Sequence, residues 1–168
     1  RGWTTWTTAI VDKRVIGIAP AVIDVLNVAK SLKSHYQAYG FWAPAVGDYT
    51  DMDIMSRLET PEFEELRKVV DPHCYIDRLT LPKYIVNSTG DQFFPPDSWK
   101  FYFDDLKGEK YLRYIPNTDH GLNIEAYLNL SSFYHAVISN TPRPTFTWSK
   151  AEDGTLEVRC ETKPTKVL

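Results

Sequence analysis

Leu81-Pro82-Lys83-Tyr84-Ile85-Val86-Asn87-Ser88 runs into Thr89-Gly90-Asp91, and Tyr111-Leu112-Arg113-Tyr114-Ile115-Pro116 runs into Asn117-Thr118-Asp119-His120-Gly121. Each stretch is a short apolar run that ends in a small polar cluster. Runs of this kind, bounded by turn residues, read as buried strands of a parallel sheet. Between them, Pro95-Pro96 opens a helical pattern that reaches about residue 106, and Lys107-Gly108-Glu109 reads as a turn. The unit is therefore strand, helix, strand, with both polar clusters at carboxyl ends of strands.

Outward from this unit the rhythm continues. Residues 3–12 carry Trp3, Trp6 and Ile10 near helical spacing. Val15-Ile16-Gly17-Ile18-Ala19-Pro20-Ala21 reads as another buried strand. Residues 24–39 form an amphipathic helix with Val25, Leu26, Val28, Ala29, Leu32 and Tyr36 on its apolar face. Residues 40–60 are irregular and aromatic-rich. Thr60-Pro61-Glu62 supplies a capping hydroxyl, a proline in the first turn and an acid, so a helix runs from there to about residue 70 and stops at Asp71-Pro72. A long helix follows over 122–138. Alternation of this kind predicts an α/β fold with a parallel sheet. Asn140-Thr141-Pro142-Arg143-Pro144 then reads as a linker. Beyond it, 145–148 and 155–159 alternate with period two around Asp153-Gly154, a hairpin signal. Two units are expected: residues 1–140, and the start of a β-sandwich-like domain over 145–168, whose end at 166–168 reads as mid-strand.

Composition narrows the function classes. The 168 residues are 43% hydrophobic and 24% charged, with a net charge of -3 and no run of Lys or Arg. A phosphate backbone would find no basic footprint, so a nucleic-acid partner is not expected. No stretch reaches the 18 or so apolar residues of a membrane span. Aromatics reach 14%, which suits a core or a substrate cleft. Cys74 and Cys160 lie far apart without a CxxC motif, so pairing and free thiols both stay open. Asp51-Met52-Asp53 reads as a solvated face rather than a metal site, and neither metal nor cofactor is expected.

The chemistry sits at the two strand ends. In open parallel sheets, functional residues gather just past the carboxyl ends of strands. Asp91 precedes His120 by 29 positions, one strand–helix unit apart. An imidazole can take a proton from an attacking hydroxyl near neutral pH, and a carboxylate fixes its tautomer and stabilises the imidazolium. Nucleophile, acid, base is the chain order of α/β-hydrolases. Either residue alone could be a turn or cap residue; the pair in this order points to a triad. The third member belongs at a strand-to-helix elbow, at or before Arg1-Gly2, because Ser31 and Ser34 lie in a helix, Ser56 in the irregular segment and Ser88 on the acid's own strand. Trp42 and Tyr49, in that irregular segment, are candidate pocket residues for a small-molecule or peptide substrate.

Arg1-Gly2-Trp3-Thr4-Thr5-Trp6, Val11-Asp12-Lys13-Arg14-Val15, the stretch from Ser88-Thr89-Gly90-Asp91 through Gln92-Phe93-Phe94-Pro95-Pro96-Asp97-Ser98, and Pro116-Asn117-Thr118-Asp119-His120-Gly121 resemble the PhoPQ-activated pathogenicity-related family. The resemblance covers essentially the whole chain, Phe146-Thr147-Trp148-Ser149 included. It implies the C-terminal part of an α/β-hydrolase domain, related to prolyl-oligopeptidase-type enzymes, with a β domain after it. It places Asp91 and His120 at the family's acid and base positions. The family's opening motif, Gly-Ala-Ser-Lys-Arg-Gly-Trp, would put a serine two positions before Arg1. Arg1 stands where the common Gly-x-Ser-x-Gly pattern has its second glycine. The resemblance also implies export, secreted or periplasmic. Two functions follow as expectations: a serine-type hydrolase of ester or amide bonds, or a non-catalytic secreted signalling or binding protein on the same scaffold. An upstream segment or a second chain is expected to complete the sheet.

Overall fold

The computed structural model describes residues 2–163. Arg1, at the expected elbow, and the expected strand end at 166–168 lie outside them. Among the described residues the α-helices are α1 (Gly2–Val11), α2 (Val28–Tyr39), the short α3 (Gly47–Asp51), α4 (Pro61–Val70) and α5 (Ile124–Ile138). The strands are β1 (Lys83–Ser88), β2 (Lys110–Ile115), β3 (Phe146–Lys150) and β4 (Leu156–Cys160).

β1 and β2 pair in parallel, from Lys83 opposite Lys110 to Ser88 opposite Ile115. The expected strand over 15–21 lies on the other side of β1 as two separate parallel bridges, Ile18 with Lys83 and Ala21 with Val86. Pro20 has no N–H to give to the ladder, so pairing there is carried by its carbonyl, which accepts from Val86 N at 3.0 Å. The parallel order of the three segments is the sheet expected from the alternation.

Helix ends follow local chemistry. Thr60 caps α4, its Oγ accepting from Phe63 N at 3.2 Å. Asn123 does the same for α5 through Ala126 N at 3.2 Å. α2 begins four residues later than the apolar pattern predicts. Asn27 holds a left-handed conformation, φ 62°, which breaks the helix before Val28. The free Val28 N–H is then capped from a distance by buried Asp71, whose Oδ2 accepts it at 2.9 Å. The helix expected over 95–106 is corrected to a single 3-10 turn, Ser98–Phe101. Three aromatics in a row and two aspartates at its C-terminal end, Asp104 and Asp105, oppose a longer helix there.

Three apolar clusters hold the sheet between helices. Trp6, Ile18, Leu26, Ile85 and Tyr102 fill one, which carries α1. Val25, Val28, Leu32 and Phe63 fill a second, against α2 and α4. Val86, Ile115 and Ala126 seat α5 on the opposite face of the sheet. Each fully buried branched side chain removes enough apolar surface to stabilise by about 2 kcal/mol. β3 and β4 form an antiparallel hairpin, Trp148 opposite Val158, and all ten of their residues are exposed.

Candidate active site

β1 and β2 deliver the polar clusters to one edge of the sheet. Past the last strand pair, the two loops are stitched together. Thr89 N donates to Ile115 O at 3.2 Å and Gly90 N to Thr118 O at 2.9 Å. The Ser88 hydroxyl lies 2.5 Å from both the Thr118 hydroxyl and the Asp119 carbonyl. The Thr89 hydroxyl accepts from Asn117 N at 3.0 Å. A Cβ on residue 90 would stand 2.8 Å from the Thr118 carbonyl oxygen, so this close approach requires glycine.

The stitching brings the expected acid and base together. His120 Nδ1 lies 2.9 Å from Asp91 Oδ2. The other carboxylate oxygen accepts from Phe93 N at 2.7 Å and Phe94 N at 3.3 Å. That Asx-type turn fixes the carboxylate from behind. The Asp91 side chain is 3% exposed, that of His120 35%. A proton on Nδ1, toward the carboxylate, leaves the Nε2 lone pair for a substrate-side proton. Phe93 packs with its ring centroid 4.5 Å from that of His120, tilted by 46°, and the His120 backbone N–H donates to Gln92 Oε1 at 3.2 Å. The segment after the acid thus supports the base twice, which sequence patterns alone do not signal.

A second carboxylate lies under the site. Asp24 is 2% exposed and accepts from Tyr102 Oη at 2.7 Å on one oxygen and from Tyr114 Oη on the other. Burial pushes its pKa up to about 7; the two phenol donors pull it down, and the charges of Asp91 and Asp97 add to the rise. The Tyr114 phenol is pushed up in turn, by burial first and then by Asp24. As part of an expected amphipathic helix, Asp24 carried no sequence signal of this role.

His120 opens on a cavity of about 610 Å³ together with Gly2 and Trp3 at the start of α1. Tyr49, a candidate pocket residue, lines it. Trp42, the other, does not: it packs against the apolar cluster of α2 and α4, 5.7 Å from the His35 ring and 5.1 Å from that of Tyr36. Trp6 is fully buried as a packing residue, whereas Trp3 both packs and lines the cavity. Cys74 and Cys160 are free thiols. Among the described residues no group of three or more His, Cys, Asp or Glu has metal-binding proximity, and no helix is long and apolar enough to cross a membrane.

A family model described as PhoPQ-activated pathogenicity-related protein matches residues 1–168. Autocrine proliferation repressor protein A of Dictyostelium discoideum is 43% identical over 153 residues, which cover 88% of this chain and 31% of that protein. The chain therefore spans about a third of the length of this curated relative. Among solved structures, Pyrococcus horikoshii acylaminoacyl peptidase is similar over 84% of this chain and 23% of its own, with a TM-score of 0.62 at 16% identity. Puromycin hydrolase is similar over 82% and 21%, with a TM-score of 0.59 at 20% identity. Acetyl xylan esterase from Paenibacillus sp. R4 is similar over 82% and 42%, with a TM-score of 0.54 at 16% identity. At these identities the likeness is one of fold, and the fold is the α/β-hydrolase scaffold.

Proposed function

Because the chain belongs to the PhoPQ-activated pathogenicity-related family, we propose that the intact protein is a serine-type hydrolase of ester or amide bonds to which this chain contributes the acid and the base. The observation that carries the proposal is the 2.9 Å contact between His120 and Asp91 at adjacent strand ends, opening on a cavity shared with the start of α1. A serine supplied from outside these residues attacks the substrate carbonyl carbon. His120 Nε2 takes the serine proton as the bond forms, then returns it to the leaving alcohol or amine. Water repeats the sequence on the acyl-enzyme, and the serine regains its proton. Asp91 orients the ring and stabilises the imidazolium.

The substrate is a small molecule or peptide, in keeping with the esterase and peptidase names of the structural neighbours. An upstream segment of the same protein, or a second chain, completes the sheet. Export, to the outside of the cell or to the periplasm, goes with the family resemblance; fractionation of the source cells tests it.

The experiment is fluorophosphonate labelling of the full-length protein. Covalent labelling that disappears in His120→Ala supports the hydrolase. A second reading, a signalling or binding protein that keeps the scaffold without turnover, draws on the name of the Dictyostelium relative, a proliferation repressor. An unlabelled, folded full-length protein with alanine or glycine in place of the elbow serine favours that reading.

A further inference from the structure

Six non-glycine residues among those described hold a positive φ. Four are Asn or Asp, which tolerate the left-handed region through their short polar side chains. The other two are apolar, Val22 at φ 48° and Leu122 at φ 59°, and both line the cavity on which His120 opens. A β-branched residue in this conformation is disfavoured, at a cost of about 1–3 kcal/mol, and such strain gathers where a side chain serves a ligand.

Leu122 has a structural reason to be apolar, since it packs against Val86, Ile115 and Ala126. Val22 belongs to no apolar cluster among the described residues. Its structural duty is met by backbone: Val22 N donates to Val86 O at 2.8 Å. Glycine or asparagine would keep that bond and sit in the left-handed region with less strain. Among the described residues the valine side chain joins no apolar cluster, and it stands on the cavity wall.

We propose, resting on the hydrolase reading above, that Val22 is a specificity-determining residue that contacts substrate, and that the site takes esters or amides carrying a bulky, uncharged apolar group. Trp3, Ile23, Val46 and Phe94 extend the same wall. Among the described lining residues no lysine or arginine is present to receive an anionic substituent; Asp48 and His120 are the chargeable groups besides two tyrosines. A neutral hydrocarbon group fits the apolar side chains of this wall.

The test uses the full-length protein and its Val22→Asn and Val22→Gly variants. Three quantities are read: the kcat/KM ratio for p-nitrophenyl octanoate over acetate, calorimetric binding of octanamide, and the thermal midpoint. The parent is expected to prefer octanoate. Both variants should lower the ratio about tenfold and weaken octanamide by a similar factor, while the thermal midpoint holds or rises. A thermal midpoint that falls, with both esters losing equally, makes Val22 structural and overturns the inference. So does an unchanged ratio with unchanged octanamide binding. If neither ester is hydrolysed, yet octanamide binds and the variants weaken it, the hydrolase reading fails and the apolar subsite stands. If both esters are hydrolysed without chain-length preference, the reverse holds.

Discussion

The corner that joins Asp91 to His120 and the β3–β4 hairpin each join a pair of strands, and they differ in what holds them. At the corner, backbone and hydroxyl bonds link Ser88, Thr89 and Gly90 to the segment 115–119, and Asp91 is almost wholly shielded. In the hairpin, Phe146, Trp148, Leu156 and Val158 leave roughly half or more of their surface in water, at 46%, 65%, 64% and 58% exposure. A two-stranded hairpin alone is marginal, whereas a parallel pair buried between helices is not. The lesson is that geometry fine enough for chemistry is found where the two loops carrying it are bonded to each other and shielded from water.

The sharpest way to break the comparison is Asp91→Asn in the full-length protein. Removing the carboxylate that sets the imidazole tautomer should lower kcat about ten-thousandfold while the fold is kept, as steady-state kinetics beside a thermal melt would read. Next comes Gly90→Ala. The added Cβ meets a backbone oxygen at 2.8 Å, which cannot swing aside like a side chain. Denaturant unfolding should show a loss of about 1–3 kcal/mol. An equally stable Gly90→Ala protein would show the corner to be looser than its bonds suggest.

Asp24 gives an effect that depends on pH. Its folded pKa is raised to about 7 from an ordinary value of 3.8. The stability it contributes is complete below the ordinary value and is lost as pH rises through the folded one. Between those values the slope approaches about 1.4 kcal/mol per pH unit from this group. Asp24→Asn should flatten the melting temperature against pH over that window. At the other extreme, Trp148→Ser on the hairpin should change the stability of this chain by less than about 0.5 kcal/mol, as fits an exposed position.

The same contrast explains what the sequence could reveal. Asp91 and His120 were legible because each follows a short apolar run bounded by turn residues, and the ends of adjacent parallel strands share an edge; only β1 is buried along most of its length, β2 being half-buried up to Ile115. Thr60-Pro61 and Asp153-Gly154 were legible because their chemistry is local. The start of α2 was not, because the break at left-handed Asn27 goes with a cap on Val28 N–H from Asp71, 43 positions away. Trp42 packs back on His35, Tyr36 and the apolar cluster of α2 and α4, and no sequence pattern tells a cavity wall from the back of a helix. Pro95-Pro96 pointed to a helix that the structure does not form: Trp99, Tyr102 and Phe103 pack into the apolar cluster under α1, and the segment holds only a 3-10 turn.

The pairing of Ser88 with Ile115 has one more consequence. It works as a ruler. The carboxylate and the imidazole hang from consecutive strands just past the last matched pair, so their separation is set by how the strands are aligned. A slip of one residue would shift the imidazole by about 3.3 Å and turn each side chain of the slipped strand to the other face. A misaligned molecule would be chemically silent as well as poorly packed. In a hydrolase built this way, recovered turnover after refolding counts the correctly aligned molecules, and catalysis serves as an internal audit of folding fidelity.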